Sequence, residues 1–497
     1  MKKLIGHHIN GKEWFSSTDL ARDIFDPGTG EVTSSVQLGD KATLEHAVSS
    51  AKVAFESWGT APISLRTRIF FLYRDLLDKN IGEIARAISL EHGKTIPDAI
   101  GEIRRGIEVV EFACGIGQLQ KTQYSEGVSR GIDTFSIRQP LGVVAGITPF
   151  NFPAMVPMWM YPIAIAMGNT FILKPSEKDP SASLLLAQLF YEAGLPEGVL
   201  NVVQGDKLMV DAILDHDDIR AVSFVGSTPV ARYIYQRAAT NAKRVQALGG
   251  AKNHMVVLPD ADMEAAADAV VSAAFGSAGE RCMAISALVA VGDDVADTMT
   301  KLIMERISHL KVGYGSDDGV DMGPLVSGEH RDLVADYVGS AVAEGADVLV
   351  DGRLHSSTAL PGFYLGPTLV DRVRNDMSVY KNEIFGPVLS VLRVTDSTEA
   401  LALINANPYA NGASIFTNSG VEARRFQTLV AAGMVGINVS IPVPVSYFSF
   451  GGSKDSLFGD THIYGEEGVK FYTRGKVVTQ RWPVESLAKV DFGFPQN

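Results

Sequence analysis

Residues 141–174 read LGVVAGITPFNFPAMVPMWMYPIAIAMGNTFILK: one apolar strand-like run (GVVAGI), a turn carrying Asn151, an apolar stretch, and a second strand-like run (TFILK). The alternation continues downstream through SASLLLAQLFYEAG, LNVVQG, KLMVDAILDH, AVSFVG and TPVARYIYQRAA, helix-like and strand-like by turns. Strands separated by helices pair in parallel, because a parallel neighbour needs a crossover connection, so this region reads as an open, doubly wound α/β sheet of nucleotide-binding type.

Upstream, residues 41–118 carry apolar residues at three- and four-residue intervals, as in ATLEHAVSSAKVAFESW and LRTRIFFLYRDLLDKN, which predicts helices. The start, MKKLIGHHINGKEW, reads as a short strand and turn. Downstream, MEAAADAVVSAAF, ISALVAVG, ADTMTKLIMERISHL, ADVLVDG and PVLSVLRV form a second α/β region of comparable size. The tail from Gly465 alternates like an extended arm, and TFSIRQPLGV (134–143) is its expected partner. The resulting division is one lobe from 1–130 and 148–255, a second from 256–464, and an oligomerisation arm from 131–147 and 465–497.

A chain of 497 residues is long enough for two or three domains, and 46% hydrophobic with 20% charged residues is the composition of a globular enzyme. The net charge of −13 is spread along the chain, which argues against nucleic acid as a partner. Ala154 to Met167, the longest apolar stretch, is broken by Pro157 and Pro162 and is shorter than the ~20 residues of a membrane span. With no signal segment at the start, a cytoplasmic location is expected. Two cysteines, Cys114 and Cys282, suit a reducing compartment, and the ten histidines have no metal-ligand spacing, so no metal is expected.

The sharpest chemical feature is GSAGERCMA (276–284). We expect Cys282 near a helix N-terminus beside Arg281, where dipole and guanidinium would both favour the thiolate. A second feature is QALGGAKNH (246–254), a glycine-bearing turn between two strand-like runs.

In order along the chain, ITPFNFP (147–153), GNTFILKPSE (168–177), FVGS (224–227), GERC (279–282), NEIFGPV (382–388) and FGGSKDS (450–456) resemble the aldehyde dehydrogenase superfamily over nearly the full length. Through PFNFPAMVPMWMYPIA, KPSEKDPS, GAKNH and GERCMA the nearest likeness is to its CoA-acylating branch, the methylmalonate-semialdehyde (malonate-semialdehyde) dehydrogenases. The resemblance implies two doubly wound lobes, one for NAD and one catalytic, a small β flap for oligomerisation, and a homotetramer built as a dimer of dimers. It implies that Cys282 attacks the aldehyde carbon and that the Asn151 amide and the Cys282 N–H meet the oxyanion. It assigns Phe150, Lys174, Glu177, Gly226, Ser227, Glu383 and Phe385 to NAD. An acid at Glu177 suits the ribose of NAD better than a 2′-phosphate. The family's second glycine, five residues after Gly226, is Ala231 here.

Hydrolytic members carry a glutamate at the head of ELGGK, where it activates water. Here that position is Leu248 if Lys252 sets the register, or Ala247 if the glycines do, and neither takes a proton. Losing a general base costs ~10²–10⁴-fold in its step, so a thiol acceptor, coenzyme A, replaces water. The substrate implied is a semialdehyde with its own carboxylate, for which Arg105 and Arg281 are the candidate guanidinium partners. Oxidation with decarboxylation would then give acetyl-CoA or propionyl-CoA; valine and inositol breakdown are not distinguished. Two other readings stay open: a hydrolytic enzyme with another base, Glu280 being nearest in sequence, and a non-oxidative cysteine acyltransferase, for which His254 is the neighbouring histidine.

Overall fold

The computed structural model describes residues 3–482. Four helices come first: α1 (Lys41–Trp58), α2 (Ile63–Lys79), α3 (Ile81–His92) and α4 (Ile96–Cys114). Their starts follow from local chemistry. Asp40 and Thr43 form a reciprocal capping box on α1, and Thr95 caps α4, with Pro97 in its first turn needing no intrahelical N–H partner. Next come α5 (Met155–Ala166), α6 (Ser181–Glu192), α7 (Lys207–Asp215) and α8 (Thr228–Thr240), each between strands of the first lobe.

An eight-stranded sheet forms the first lobe, in the order 457–458, 244–248, 219–225, 143–147, 170–174, 200–202, 7–9 and 12–14. Its five central strands are parallel, with antiparallel pairing at both edges. From Val143–Ile147 the chain winds first one way, through 170–174 and 200–202, and then the other, through 219–225 and 244–248. The crevice between the carboxyl ends of strands 143–147 and 219–225 is therefore a topological switch point, where open α/β sheets bind ligands.

The second lobe is a seven-stranded sheet in the order 347–350, 368–371, 388–394, 285–291, 253–257, 412–416 and 434–437, parallel except for its first strand. It packs against α9 (Met263–Phe275), α10 (Asp293–His309) and α11 (Gly328–Ala343) through buried Val, Ile, Leu and Ala. Both predicted doubly wound sheets are present.

Some expected boundaries move. Val143–Ile147, assigned to the arm, is a central strand of the first sheet, fully buried because helices cover both its faces. The flap is instead a three-stranded sheet of Tyr124–Ser129, Ile132–Pro140 and Thr473–Arg481, the last two antiparallel as expected. The tail is not extended from Gly465: Gly465–Phe471 is a helical turn that buries Val469 and Phe471 in the first lobe's core. Asn253–Val257 already belongs to the second sheet, so the first ends before residue 253, and Leu457–Phe458 returns to pair with strand 244–248. The part of the expected arm from 483 onward lies outside the described residues.

The first lobe's core includes an aromatic stack in which Phe190 lies 4.1 Å from Tyr73 and 5.1 Å from Phe70. Phe190→Ala is expected to destabilise this lobe by about 3–5 kcal/mol, read as an earlier first transition in chemical denaturation.

Candidate functional site

The candidate residues come from strand ends of both sheets. From the first, Phe150 and Asn151 follow strand Val143–Ile147, Lys174 ends strand Thr170–Lys174, and Gly226 and Ser227 follow strand Ile219–Val225, so all lie at carboxyl ends by the switch point. From the second, Asn253 opens its strand, Cys282 precedes strand Ile285–Val291, and Glu383 and Phe385 precede strand Val388–Val394. On the second lobe's side is a small cleft lined among others by Ala251, Asn253, Arg281, Cys282, Glu383 and Phe385.

Cys282 is half-buried and does not sit at a helix N-terminus. It follows a tight turn, Gly276–Gly279, in which Ser277 and Ala278 both take left-handed φ values, +52° and +51°. Such strain is held only where the surroundings over-determine the chain. Arg281 does not serve as the thiol's close counter-ion either, because its Nη2 is 2.5 Å from Asp98 Oδ1. Burial, with the Glu383 carboxylate nearby, pushes the thiol up to about 12, so it rests protonated at neutral pH. The expected helix dipole is missing, and the pull of Arg281 toward the thiolate, with its guanidinium engaged by Asp98, is outweighed by burial and Glu383.

The cysteine backbone is held firmly. Asn253 Nδ2 donates to the carbonyls of Cys282 (2.9 Å) and Ala284 (3.0 Å), and Asn411 Nδ2 donates to the same Cys282 carbonyl at 3.1 Å. Across from it, buried Asn151 donates through Nδ2 to the Glu280 carbonyl at 3.0 Å. A carboxamide nitrogen has two hydrogens, so one remains for a second acceptor. Among the described residues the Cys282 N–H has no backbone acceptor. The candidate nucleophile and two candidate donors are therefore brought together.

The candidate cofactor residues occupy two zones. Lys174 Nζ is 2.9 Å from Glu177 Oε2, and Arg22, which the sequence did not single out, binds Glu177 Oε1 at 2.8 Å. Burial works against the Glu177 carboxylate, but Lys174 and Arg22 hold it below its usual range. Gly226 abuts the Phe224 ring, where a β-carbon would overlap, and Ser227 leads into α8 without capping it, so the first-turn amides have no side-chain cap. In the second zone Phe385 takes a left-handed φ of +57°, held by His330 Nε2 2.7 Å from its carbonyl, and its ring meets Phe150 edge-on at 5.9 Å.

The acid-free turn organises Glu383. Ala251 N–H donates to Glu383 Oε1 at 2.8 Å, while Lys252 Nζ donates to the carbonyls of Val379 (2.7 Å) and Asn382 (2.9 Å). A β-carbon on Gly250 would overlap Glu383 Oε2. His254 is buried against the Tyr380 hydroxyl at 3.0 Å, and burial lowers it to about 3, which gives it a structural place. Strand Arg244–Leu248 alternates faces: Ala247 packs with Phe224 and Ile234 on the far side, whereas Leu248 packs in the cluster that Cys282 also touches, with Phe152 and Met283. Of the two, Leu248 is the one in the cluster against which Cys282 packs.

Both candidate arginines already carry partners. Arg281 lines the cysteine cleft but directs its guanidinium to Asp98, over Gly276, which has no room for a β-carbon. Arg105 contacts Glu108 at 2.7 Å and the carbonyls of Pro444 (2.9 Å) and Val443 (3.3 Å). Tyr464 donates to the same Pro444 carbonyl at 3.1 Å. Glu280 lies fully buried between His92 and His330, each 3.8 Å away, and burial raises it to about 8. Asn253, Asn411, His330 and Tyr464 had no distinguishing spacing in the sequence; only the fold reveals their work.

The chain belongs to the aldehyde dehydrogenase family, whose model matches residues 14–478. Within that family it is 53% identical over 491 residues, 98% of this chain and 99% of the other, to a malonate-semialdehyde dehydrogenase of Pseudomonas aeruginosa. A malonate-semialdehyde dehydrogenase 3 of Geobacillus kaustophilus is 49% identical, covering 95% of this chain and 98% of that one. Among solved structures, the methylmalonate-semialdehyde dehydrogenase DddC of Oceanimonas doudoroffii superposes with a TM-score of 0.96 at 51% identity, covering 98% of this chain and 100% of that one. A Sinorhizobium meliloti protein described as a methylmalonate-semialdehyde dehydrogenase and crystallised with NAD gives 0.97 at 50% identity, covering 98% and 99%.

Beyond burial, Glu383 raises the Cys282 pKa, and burial lifts Glu383 itself to about 7, so it is ionised at pH 9. Glu383→Gln should lower the thiol pKa and speed iodoacetamide alkylation of the free enzyme at pH 9 in proportion to the thiolate present, about tenfold if the pKa falls by about one. An unchanged rate would rule out that coupling.

Proposed function

We propose that this enzyme oxidises malonate or methylmalonate semialdehyde with NAD and coenzyme A, releasing CO2 and forming acetyl-CoA or propionyl-CoA. The observation that carries this reading is Leu248, a buried apolar side chain in the cluster against which Cys282 packs, in place of the base that hydrolytic relatives keep. Identity near 50% to malonate- and methylmalonate-semialdehyde dehydrogenases supports the substrate class.

The donor set fits NAD. Glu177 and Lys174 would hold the adenosine ribose, the uncapped start of α8 after Gly226 and Ser227 the pyrophosphate, Glu383 the nicotinamide ribose, and Phe150 with Phe385 the ring. When bound, the nicotinamide supplies the hydride acceptor. The chain does the rest. The Cys282 sulfur, once deprotonated, adds to the aldehyde carbon, and the Asn151 amide and Cys282 N–H stabilise the alkoxide that forms. Hydride loss from that carbon leaves an acyl thioester on Cys282. The same two donors stabilise the enolate left when the acyl carboxylate departs as CO2, and protonation of its carbon gives the shortened acyl thioester. With Leu248 unable to activate water, the thiolate of CoA displaces Cys282.

The substrate carboxylate needs a planar, bidentate partner, and Arg105 and Arg281 are the candidates. Lysine at the responsible position is expected to lower kcat/KM by about 10–100-fold, the loss of ~1.5–3 kcal/mol from a charged hydrogen bond, with a smaller effect on an uncharged aldehyde. We further read the exposed flap of 124–140 and 473–481, with Tyr124, Val128 and Val477 at its surface, as the contact of a homotetramer built from dimers, and the enzyme as cytoplasmic.

The deciding experiment follows NADH, CO2 and acyl-CoA together, with and without CoA. A first-turnover NADH burst that stalls without thiol is expected. Steady turnover without any thiol would overturn the reading and favour hydrolysis. Glu280 is poorly suited to be that base, because burial to about 8 keeps it mostly protonated at neutral pH.

A further inference from the structure

We infer that Lys94 and Glu102, a buried ion pair outside the substrate and cofactor contacts, are positioning residues that set the place of Asn151 relative to Cys282. The inference rests on the reading of Asn151 as the oxyanion donor. Neither side chain reaches solvent, and Nζ lies 2.6 Å from Glu102 Oε2. A buried ion pair is a costly arrangement unless each partner makes further hydrogen bonds, so those bonds indicate what it does. Lys94 Nζ donates to the Asn151 carbonyl at 2.6 Å and lies 4.3 Å above the Phe152 ring. The other oxygen of Glu102 accepts from the N–H groups of Ala154 (2.9 Å) and Met155 (3.2 Å). One pair therefore grips the segment 151–155 at both ends, and its carboxylate caps α5, which has no side-chain cap of its own.

The grip is tied to the second lobe. Lys94 follows Gly93, whose φ of +91° brings it against Pro324, and Ile96 N–H donates to the Gly315 carbonyl at 3.1 Å. Gly315 and Gly323 lie so close to the Gly93–Lys94 peptide that neither has room for a β-carbon. From the same stretch of the second lobe, Val326 N–H donates to Glu280 Oε1 at 3.3 Å, and the Glu280 carbonyl accepts from Asn151. Asn151 is thus fixed at its carbonyl by Lys94 and at its amide by the peptide two residues before Cys282.

The test is a double-mutant cycle on kcat with malonate semialdehyde, using Lys94→Met and Asn151→Ala. NAD affinity by fluorescence and Cys282 alkylation by iodoacetamide report separately on the cofactor site and the nucleophile. Lys94→Met should lower kcat about 10–100-fold while NAD affinity and alkylation stay as in the wild type, since small misplacements of a catalytic group cost rates of that order. In the Asn151→Ala background it should cause no further loss. Losses that multiply, or an unchanged kcat in Lys94→Met, would overturn the positioning role while leaving the oxyanion reading intact. An unchanged kcat in Asn151→Ala would overturn both. If Lys94→Met does not fold, Glu102→Gln takes its place in the cycle: it keeps an acceptor for Ala154 and Met155 but removes the charge that holds Lys94, and the same outcomes apply.

Discussion

Loops that leave the ends of strands lose their ladder partners, and both sheets contribute such loops to this site, so buried peptide groups must find side chains instead. Most of the site's architecture answers that need. Asn253 and Asn411 satisfy the Cys282 carbonyl, Lys252 those of Val379 and Asn382, His330 that of Phe385, and Lys94 that of Asn151. In the other direction, Glu383 accepts the Ala251 N–H and Glu102 those of Ala154 and Met155. A polar side chain buried for this purpose also becomes a rigid positioning element, which is why the reactive groups can stand on loops and still be held in orientation by their neighbours.

Burial of so many ionisable groups sets the electrostatic state of the seam. Desolvation lifts Glu280 to about 8 and Glu383 to about 7, lowers Lys252 to about 7, and keeps His92 neutral. The resting cleft therefore carries less charge than its composition suggests, and the thiol is protonated within it. A ligand that engages Glu383 would therefore change the field at Cys282 directly.

Much of this was legible in the chain. The β/α alternation from residue 141 located four of the five central strands of the first sheet, because buried parallel strands read as continuous apolar runs, and the fifth, 244–248, showed only as a run flanking QALGGAKNH. The motifs around Asn151, Cys282 and Glu383 do converge on one cleft or its rim. What could not be read were partners set by tertiary contact: Asn411 lies 129 residues from the carbonyl it binds, and Lys94 57 from Asn151. The turn before Cys282 was misread as leading into a helix because glycines and small residues suit a helix end and a strained turn equally well. The segment Gly465–Phe471 is too short for helical periodicity to register, and packing of Val469 and Phe471 decides it.

The turn QALGGAKNH separates two kinds of freedom. At Leu248 a side chain faces an apolar cluster, so polarity there can change while the backbone stays as it is. At Gly250 even a methyl group would displace the Glu383 carboxylate. In evolutionary terms the first position is a dial and the second a fixed screw: descent can change the side chain at the one without disturbing the carboxylate held by the other.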